Sequence, residues 1–147
     1  MSGYEIRLAD ESESGQIKDL IHLVGINPSG LEWSRFIVAV KADGEIIGCG
    51  QIKPHGQDIK ELASIAVKPE HRLQGVARRI IEELLRNTTR PIYLMCIEHN
   101  GGMYEKFGFR VIELDEMPRY FRRMQKLFNA VKIVRKVTEN LLVMKLE

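Results

Sequence analysis

Several features that would quickly assign a functional class are missing from this chain of 147 residues. It has only two cysteines, Cys49 and Cys96, and no Cys-x-x-Cys or His-Glu-x-x-His motif, which argues against a disulfide framework and the common zinc spacings. No apolar run approaches the roughly 20 residues that span a bilayer. The N-terminus is polar within a few residues, so no signal peptide is expected. The sequence therefore predicts a cytoplasmic protein with reduced thiols, no membrane segment and no metal.

The net charge, the absence of two further motifs and the chain length limit the possible functional classes and the number of domains. The net charge of +2 is too small to indicate a nucleic-acid partner by itself. There is no Gly-x-Ser-x-Gly motif and no Walker turn. A length of 147 residues predicts a single domain, spanning 1–147, that buries its own core.

The most informative stretch is 61–85, which has the pattern of a strand, a tight turn and a helix. The apolar strand runs to Val67, and helical periodicity begins after Gly75. The start of a helix directs unpaired N–H groups outward and carries about half a positive charge. Gly75 allows the backbone to approach a ligand closely, and Arg72, Arg78 and Arg79 add formal charge. This turn therefore predicts a binding site for a pyrophosphate.

The motif Arg72-x-x-Gly75-x-Ala77 resembles the Arg/Gln-x-x-Gly-x-Gly/Ala turn of the GNAT superfamily of acyl-CoA N-acyltransferases. The run Ala-Val-x-Pro-Glu-x-Arg before the turn and Tyr-Glu-Lys-Phe-Gly-Phe at 104–109 are also typical of that superfamily. The likeness covers roughly residues 4–114. It implies an α/β (α+β) acyl-CoA N-acyltransferase fold. This is a mixed, mostly antiparallel sheet of about six or seven strands, flanked by helices, with a splayed central parallel pair.

The resemblance also implies acetyl-CoA as cosubstrate and a primary amine as acceptor. Pantetheine would lie against strand 61–67 and the pyrophosphate against the turn. The cofactor-binding residues carried over are Ile65, Ala66, Val67, Arg72, Leu73, Gln74, Gly75, Val76, Ala77, Arg78 and Phe107.

Two residues match catalytic positions of the superfamily. Tyr104 corresponds to the tyrosine that protonates the departing thiolate; the alternative is packing beneath the cofactor. Glu61 stands where many relatives place a carboxylate that deprotonates the amine, often through water; the alternative is a surface glutamate at a strand end. The superfamily usually has an asparagine seven residues before that tyrosine, and this chain has Ile97 there instead. Cys96 is interpreted as a small buried apolar residue. The four histidines are interpreted as surface or structural residues: His22, His55, His71 and His99.

Periodicity and turn residues predict the remaining elements. Besides strand 61–67, we predict strands at 4–9, 35–41, 46–53, 91–97, 109–112 and 141–146. The connection through the helix after Gly75 makes strand 91–97 parallel to strand 61–67. A turn is predicted at 54–58 and a short helix at 103–107. A first helix has an apolar stripe at Ile17, Leu20, Ile21 and Val24.

A basic amphipathic helix is predicted at about 117–132. Its apolar stripe is Met117, Phe121, Met124, Phe128 and Val131. From Pro118 to Lys136 there are seven Lys or Arg residues and no acid. This basic surface is either solvated or a wall that attracts a carboxylate-bearing acceptor. Nucleic-acid binding is a weaker alternative, because two of the three aromatic residues in this segment belong to the apolar stripe.

The acceptor and the oligomeric state are left open, with a homodimer among the alternatives. The run from Glu61 to Val67, the short region before Tyr104 and the Met-Pro segment at 117–118 loosely resemble N-acetylglutamate synthase catalytic domains. Protein acetylation is the other enzymatic branch. The alternative from another class is a non-catalytic module of the same fold that senses acyl-CoA or binds a partner. Such a module needs the 72–77 turn but neither Tyr104 nor Glu61.

Overall fold

The computed structural model of the chain describes residues 3–147. The strands are β1 (Tyr4–Leu8), β2 (Phe36–Lys41), β3 (Ile46–His55), β4 (Ile59–Val67), β5 (Ile92–Ile97), β6 (Arg110–Val111) and β7 (Leu141–Leu146). The α-helices are α1 (Ser14–Val24), α2 (Val76–Arg86), α3 (Gly101–Glu105) and α4 (Arg119–Arg135). Across the described residues the strands form one sheet in the order β1-β2-β3-β4-β5-β7-β6.

The sheet is mixed, as predicted. Strand β4 runs parallel to β5, with Glu61 opposite Tyr93. The pairs β1–β2, β2–β3, β5–β7 and β6–β7 are antiparallel. The mostly antiparallel sheet flanked by helices is therefore confirmed, and the splay of the parallel pair stays a prediction.

The chain forms two compact units, and the first comprises residues 3–53 and Leu62–Thr89. Its core packs the buried face of α1 against β2, β3 and β4: Ile17, Leu20, Ile21, Phe36, Val38, Val40, Ile46, Cys49 and Ala66. The capping box before α1 uses Asp10, whose carboxylate accepts from the N–H of Ser12, and Glu13, whose carboxylate accepts from the N–H of Asp10. Gly25 then ends α1 with a φ of 80°.

Two glycines allow β3 to pack closely against the apolar face of α2. A Cβ added at Gly48 would lie 2.8 Å from Cγ1 of Val76. A Cβ added at Gly50 would lie 2.5 Å from Cδ1 of Ile65 and 2.9 Å from Cγ2 of Ile80. Since Ile80 is fully buried, it has little room to move.

We therefore expect Gly50→Ala to lower the free energy of unfolding by about 1–3 kcal/mol through overpacking. The matched control is Gly15→Ala on α1, where an added Cβ meets nothing within 4 Å. That variant should be neutral or slightly stabilising, because alanine favours a helix over glycine by up to about 1 kcal/mol. Urea unfolding of both proteins measures the difference, and equal midpoints would contradict the close packing.

The second unit comprises Pro54–Glu61 and Arg90–Glu147. Its core joins β5, β7 and α4 around Tyr93, Ile112, Met117, Phe121 and Val143. Helix α4 is tied to β7 by a hydrogen bond of 3.1 Å from Nε2 of Gln125 to the carbonyl of Leu141. Along α4 only Phe121 is fully buried, and the predicted stripe residue Val131 is 42% exposed. The apolar stripe therefore packs at its N-terminal end and reaches the surface at its C-terminal end.

Several predicted boundaries were wrong. Strand β3 does not stop at Lys53 but continues through Pro54 to His55, because the His55 side chain is bound to Glu61 of the next strand. Helix α3 covers Gly101–Glu105 rather than 103–107, since a 3-10 turn at Glu98–Asn100 leads directly into it. Strand β6 is limited to Arg110–Val111. Helix α4 begins and ends later than predicted, at Arg119 and Arg135.

None of the helices in residues 3–147 combines the length and the apolar character needed to cross a bilayer. Over the same residues, His, Cys, Asp and Glu side chains form no group of three or more that could hold a metal ion.

Candidate functional site

The first candidate site is the turn between β4 and α2, which lies in the first unit. A 3-10 turn at Pro69–His71 follows β4. Leu73 and Gly75 then adopt positive φ values of 62° and 81°. Such values cost little for glycine but strain a leucine, whose side chain here is fully exposed. This backbone path brings the chain from the end of β4 directly into α2.

The N-terminus of α2 is open. The N–H of Arg79 donates to the carbonyl of Gly75 at 3.1 Å, so the N–H groups before it have no acceptor within the helix. Gly75 caps the helix without a side-chain hydrogen bond. A Cβ built on Gly75 meets nothing within 4 Å. These features suit a ligand that brings several anionic oxygens to the backbone, such as a pyrophosphate.

The arginines of this turn have different surroundings. Nε of Arg72 donates to the carbonyl of Val67 at 3.3 Å, which joins the turn to the end of β4. Nε of Arg78 pairs with a carboxylate oxygen of Glu82 at 2.8 Å. The Arg79 guanidinium lies over the ring of Tyr4, 5.0 Å from its centroid. All three arginines add positive charge near the turn. Arg78 and Arg79 already contact other side chains, whereas Arg72 contacts the backbone.

Strand β4 carries a backbone irregularity that the sequence did not predict. Ser64 has a φ of 59°, in the left-handed region, immediately before the predicted cofactor residues Ile65, Ala66 and Val67. The conformation is held by Gln51, whose Nε2 donates to Oγ of Ser64 at 2.9 Å. Such a position interrupts the regular strand and changes the direction of the groups that follow. No residue type in the sequence signals it, because serine is not typical of a left-handed backbone.

The second candidate site is a buried acid–histidine pair in the second unit. An Oε1–Nε2 contact of 2.7 Å joins Glu61 to His55. Glu61 is only 4% exposed, so the alternative of a surface glutamate is wrong. His55 was interpreted as surface or structural, and its position beside a predicted catalytic residue was missed. A signal was available, since the two residues lie on either side of a hairpin turn.

Aromatic residues of α4 enclose this pair. The rings of His55 and Tyr120 are stacked with centroids 3.6 Å apart and an interplanar angle of 21°. The rings of Phe121 and His55 are nearly perpendicular, with centroids 6.0 Å apart. Burial, and then the charge of Glu61, raise the pKa of Tyr120. The N-terminal turn of the basic helix therefore forms one wall around His55.

A further candidate residue is Tyr104, which lies on α3 in the second unit. Its ring packs edge-to-face against Phe109, with centroids 6.3 Å apart. Burial and the nearby Cys96 raise the pKa of Tyr104 to about 12, so the phenol is neutral at physiological pH. Within residues 3–147 no hydrogen bond or ring contact joins it to Glu61. Phe107 is half-buried at the end of α3.

The cysteines fit the inert roles expected of them. Cys49 and Cys96 are both buried and free. Burial raises the pKa of Cys49 to about 12 and that of Cys96 to about 11. Neither thiol forms a thiolate readily near neutral pH, so neither is a nucleophile in this environment.

Comparison with known proteins identifies the chain as similar to N-acetyltransferases. The model of the acetyltransferase (GNAT) domain matches residues 32–111. An uncharacterised N-acetyltransferase of Chlorobaculum tepidum is 26% identical over 80 residues, covering 52% of this chain and 50% of that protein. The chain thus spans about half the length of the curated relative it matches.

Solved structures with low identity share the fold. N-acetylglutamate synthase of Neisseria gonorrhoeae, complexed with coenzyme A and N-acetyl-glutamate, aligns with a TM-score of 0.74 and 20% identity. The alignment covers 98% of this chain and 35% of that one. A Mycobacterium tuberculosis protein in complex with CoA aligns with a TM-score of 0.72 and 22% identity, covering 97% and 98% of the two chains.

The sheet, the parallel pair at β4 and β5 and the glycine-capped turn define an acyl-CoA N-acyltransferase fold. The chain belongs to the GNAT acetyltransferase domain family, whose model matches more than half of its residues. The family that the turn motif predicted is confirmed.

Proposed function

We propose that the protein transfers an acetyl group from acetyl-CoA to a primary amine by direct attack. The observation that carries the proposal is the open N-terminus of α2, capped by Gly75 at the end of a strand. A backbone site of this kind recognises a pyrophosphate, which acetyl-CoA contains. Membership of the acetyltransferase family supports the same cosubstrate.

The cofactor would be held mainly by backbone groups. The N–H groups from Gly75 to Arg78 would bind the pyrophosphate, while Arg72 adds positive charge beside them. The backbone of Ile65, Ala66 and Val67 would bind pantetheine, and one N–H there would polarise the thioester carbonyl. Loss of one such donor typically costs about 3–4 kcal/mol in the transition state. Phe107 would pack against the cofactor.

Two groups would move protons. The Glu61–His55 pair would remove a proton from the amine, which arrives as an ammonium ion. The amine nitrogen would then attack the thioester carbon and form a C–N bond. As the C–S bond breaks, the Tyr104 hydroxyl would supply a hydrogen bond and then a proton to the sulfur. Tyr104 recovers its proton from the nitrogen that has become bonded to carbon.

The compartment is proposed from the cysteines. Cys49 and Cys96 are free and buried thiols, which supports a reducing compartment such as the cytoplasm.

Incubation with acetyl-CoA and a panel of amino acids, polyamines and peptides tests the function. We expect CoA release with at least one amine and a product heavier by one acetyl group, measured by mass spectrometry. Binding of acetyl-CoA without release for any amine would favour the alternative of an acyl-CoA-sensing module.

We further propose that the acceptor carries a carboxylate. The residue one turn after Tyr120 on α4 is Arg123, which lies on the same face of the helix as Tyr120 and is exposed. Since Tyr120 stacks on His55, a positive charge on this face would be available to an acceptor bound beside the proposed base. Arg122 points to a different face, because successive helical residues are about 100° apart.

An amino acid should therefore be a better acceptor than the amine formed by its decarboxylation. A charge-assisted hydrogen bond contributes about 1.5–3 kcal/mol, so Arg123→Ala should lower the kcat/KM ratio of amino acid to amine about 10-fold or more. The matched control, Arg122→Ala, should leave the ratio unchanged. Equal effects of the two substitutions, or a ratio near one in the parent, would leave α4 with a solvated basic surface.

A further inference from the structure

The buried pair of Glu61 and His55 raises the question of which atom takes the proton from the amine. The Glu61 side chain is 5% exposed and that of His55 is 17% exposed, so the imidazole is the more accessible of the two. Their single contact joins Oε1 of Glu61 to Nε2 of His55 at 2.7 Å. The carboxylate therefore lies behind the imidazole, with respect to solvent, and one of its oxygens is already occupied.

The contact with Glu61 bears on the tautomer of a neutral His55. If the Glu61 carboxylate accepts the hydrogen bond, Nε2 carries the hydrogen in this contact. Nδ1 then carries a lone pair, and within residues 3–147 no hydrogen bond is made to Nδ1. A nitrogen with a free lone pair is a base, and histidine is the side chain best suited to accept a proton near neutral pH.

The surroundings hold the ring in place and put an aromatic face and a carboxylate beside it. Tyr120 stacks on one face of the imidazole, and an imidazolium over an aromatic face gains a cation–π attraction. Glu61 supplies the opposite charge on the Nε2 side. The titratable groups near this pair include the phenol of Tyr120 stacked on the ring, the phenol of Tyr93 beside Glu61 in the sheet, Lys145 at 5.7 Å from the Tyr93 ring, and Arg123 on the same face of α4 as Tyr120. Glu61 is the only carboxylate among these groups.

We propose that Nδ1 of His55 is the general base, and that Glu61 is the positioning residue that fixes its tautomer and stabilises the imidazolium. This proposal rests on the proposed acetyl transfer. It differs from the expectation that Glu61 itself takes the proton. The arrangement follows the logic of a carboxylate that orients a catalytic histidine, on a fold where the sequence motif pointed to the carboxylate alone.

The proton count closes in two steps. Nδ1 takes one proton from the ammonium ion, directly or through one water, which leaves a neutral amine and an imidazolium–carboxylate pair. After the amine has attacked, the second proton leaves the nitrogen and replaces the one that Tyr104 gave to the sulfur. The imidazolium releases its proton to solvent before the next turnover. The nitrogen thus gains one acetyl group and loses two protons, one to the sulfur and one to solvent, without any further reactant.

The test compares kcat/KM of the parent and His55→Gln with acetyl-CoA and the panel amine that gives the fastest CoA release. Glutamine can still donate to Glu61, so the fold is kept while the titrating nitrogen is removed. We expect a loss of about 10²–10⁴-fold at pH 7. The loss should shrink as the pH is raised toward 9.5, because more of the amine then arrives without its extra proton.

The control is His99→Gln, which makes the same substitution in an exposed pair with Glu139. It should leave kcat/KM and its pH dependence unchanged. A loss below about 10-fold for His55→Gln would make Glu61 the base and overturn the proposal. A loss that stays constant with pH would do the same, since it would indicate a structural role for His55.

A second measurement is independent of turnover. Long-range ¹H–¹⁵N NMR reports which ring nitrogen of neutral His55 carries hydrogen, and we expect Nε2. In Glu61→Gln the amide can donate to Nε2, so the Nδ1–H tautomer should become populated. An Nδ1–H tautomer in the parent would overturn the proposal.

The turnover assay separates this proposal from the proposed function. If the parent released no CoA with any amine, the proposed function would fail. CoA release with a fully active His55→Gln would contradict only the assignment of the base.

Discussion

The Gly75→Glu protein is expected to stay folded and to bind acetyl-CoA at least about 100-fold more weakly than the parent, a loss of roughly 2.7 kcal/mol. Gly75 has a φ of 81°, and a Cβ at this position has open space around it, so a side chain fits without a clash. The new carboxylate would occupy the N–H groups at the start of α2 and repel the pyrophosphate.

Two controls separate charge from backbone strain. Gly25→Glu places the same side chain at a φ of 80°, again with nothing within 4 Å of the added Cβ, at the end of α1. It should lose a similar amount of stability, of the order of 1–2 kcal/mol, and keep its affinity for acetyl-CoA. Gly75→Gln removes the charge but keeps the bulk, and should bind with intermediate affinity. Calorimetric titration that showed parental affinity in folded Gly75→Glu would remove the turn from the site.

Tyr104→Phe is expected to lower kcat about 100-fold while the Kd for acetyl-CoA stays nearly the same. The substitution keeps the ring that packs against Phe109 and removes only the hydroxyl. We expect a loss of kcat at the lower end of the range for general acids, because proton transfer from this phenol is unfavourable. With the pKa of Tyr104 raised to about 12 by burial, complete transfer of its proton to a thiolate with a pKa of about 8.5 is uphill. The hydroxyl therefore stabilises the developing charge on sulfur by a hydrogen bond, and its proton moves to the sulfur only as Tyr104 takes a proton from the attacking nitrogen.

Single-turnover kinetics should accompany the steady-state measurement, because an effect on chemistry is hidden where product release limits kcat. Tyr4→Phe makes the same change in the other compact unit and should leave kcat unchanged. If the single-turnover rate of Tyr104→Phe equals that of the parent, Tyr104 packs beneath the cofactor and has no role in proton transfer.

Much of the fold follows from local sequence. The elements β4 and α2 and the Gly75 turn are specified within one continuous stretch, because apolar periodicity, Pro69 and a glycine act on neighbouring residues. The same holds for β7, whose predicted and observed bounds agree at 141–146. Boundaries were less well predicted where distant residues set them. Strand β3 extends to His55 because a partner on the next strand holds it there.

By itself, the sequence determined the family, the predicted cosubstrate and the turn that would bind it, since all of these depend on residues close together in the chain. Only the tertiary structure buried the pair of His55 and Glu61 and brought Tyr120 of α4, far along the sequence, against the imidazole. It also gave Ser64 a left-handed backbone held by Gln51 of the neighbouring strand. The physical reason is that burial decides these features. A carboxylate removed from water must find a partner, and which side chain is near enough to be that partner depends on how the sheet and helices pack.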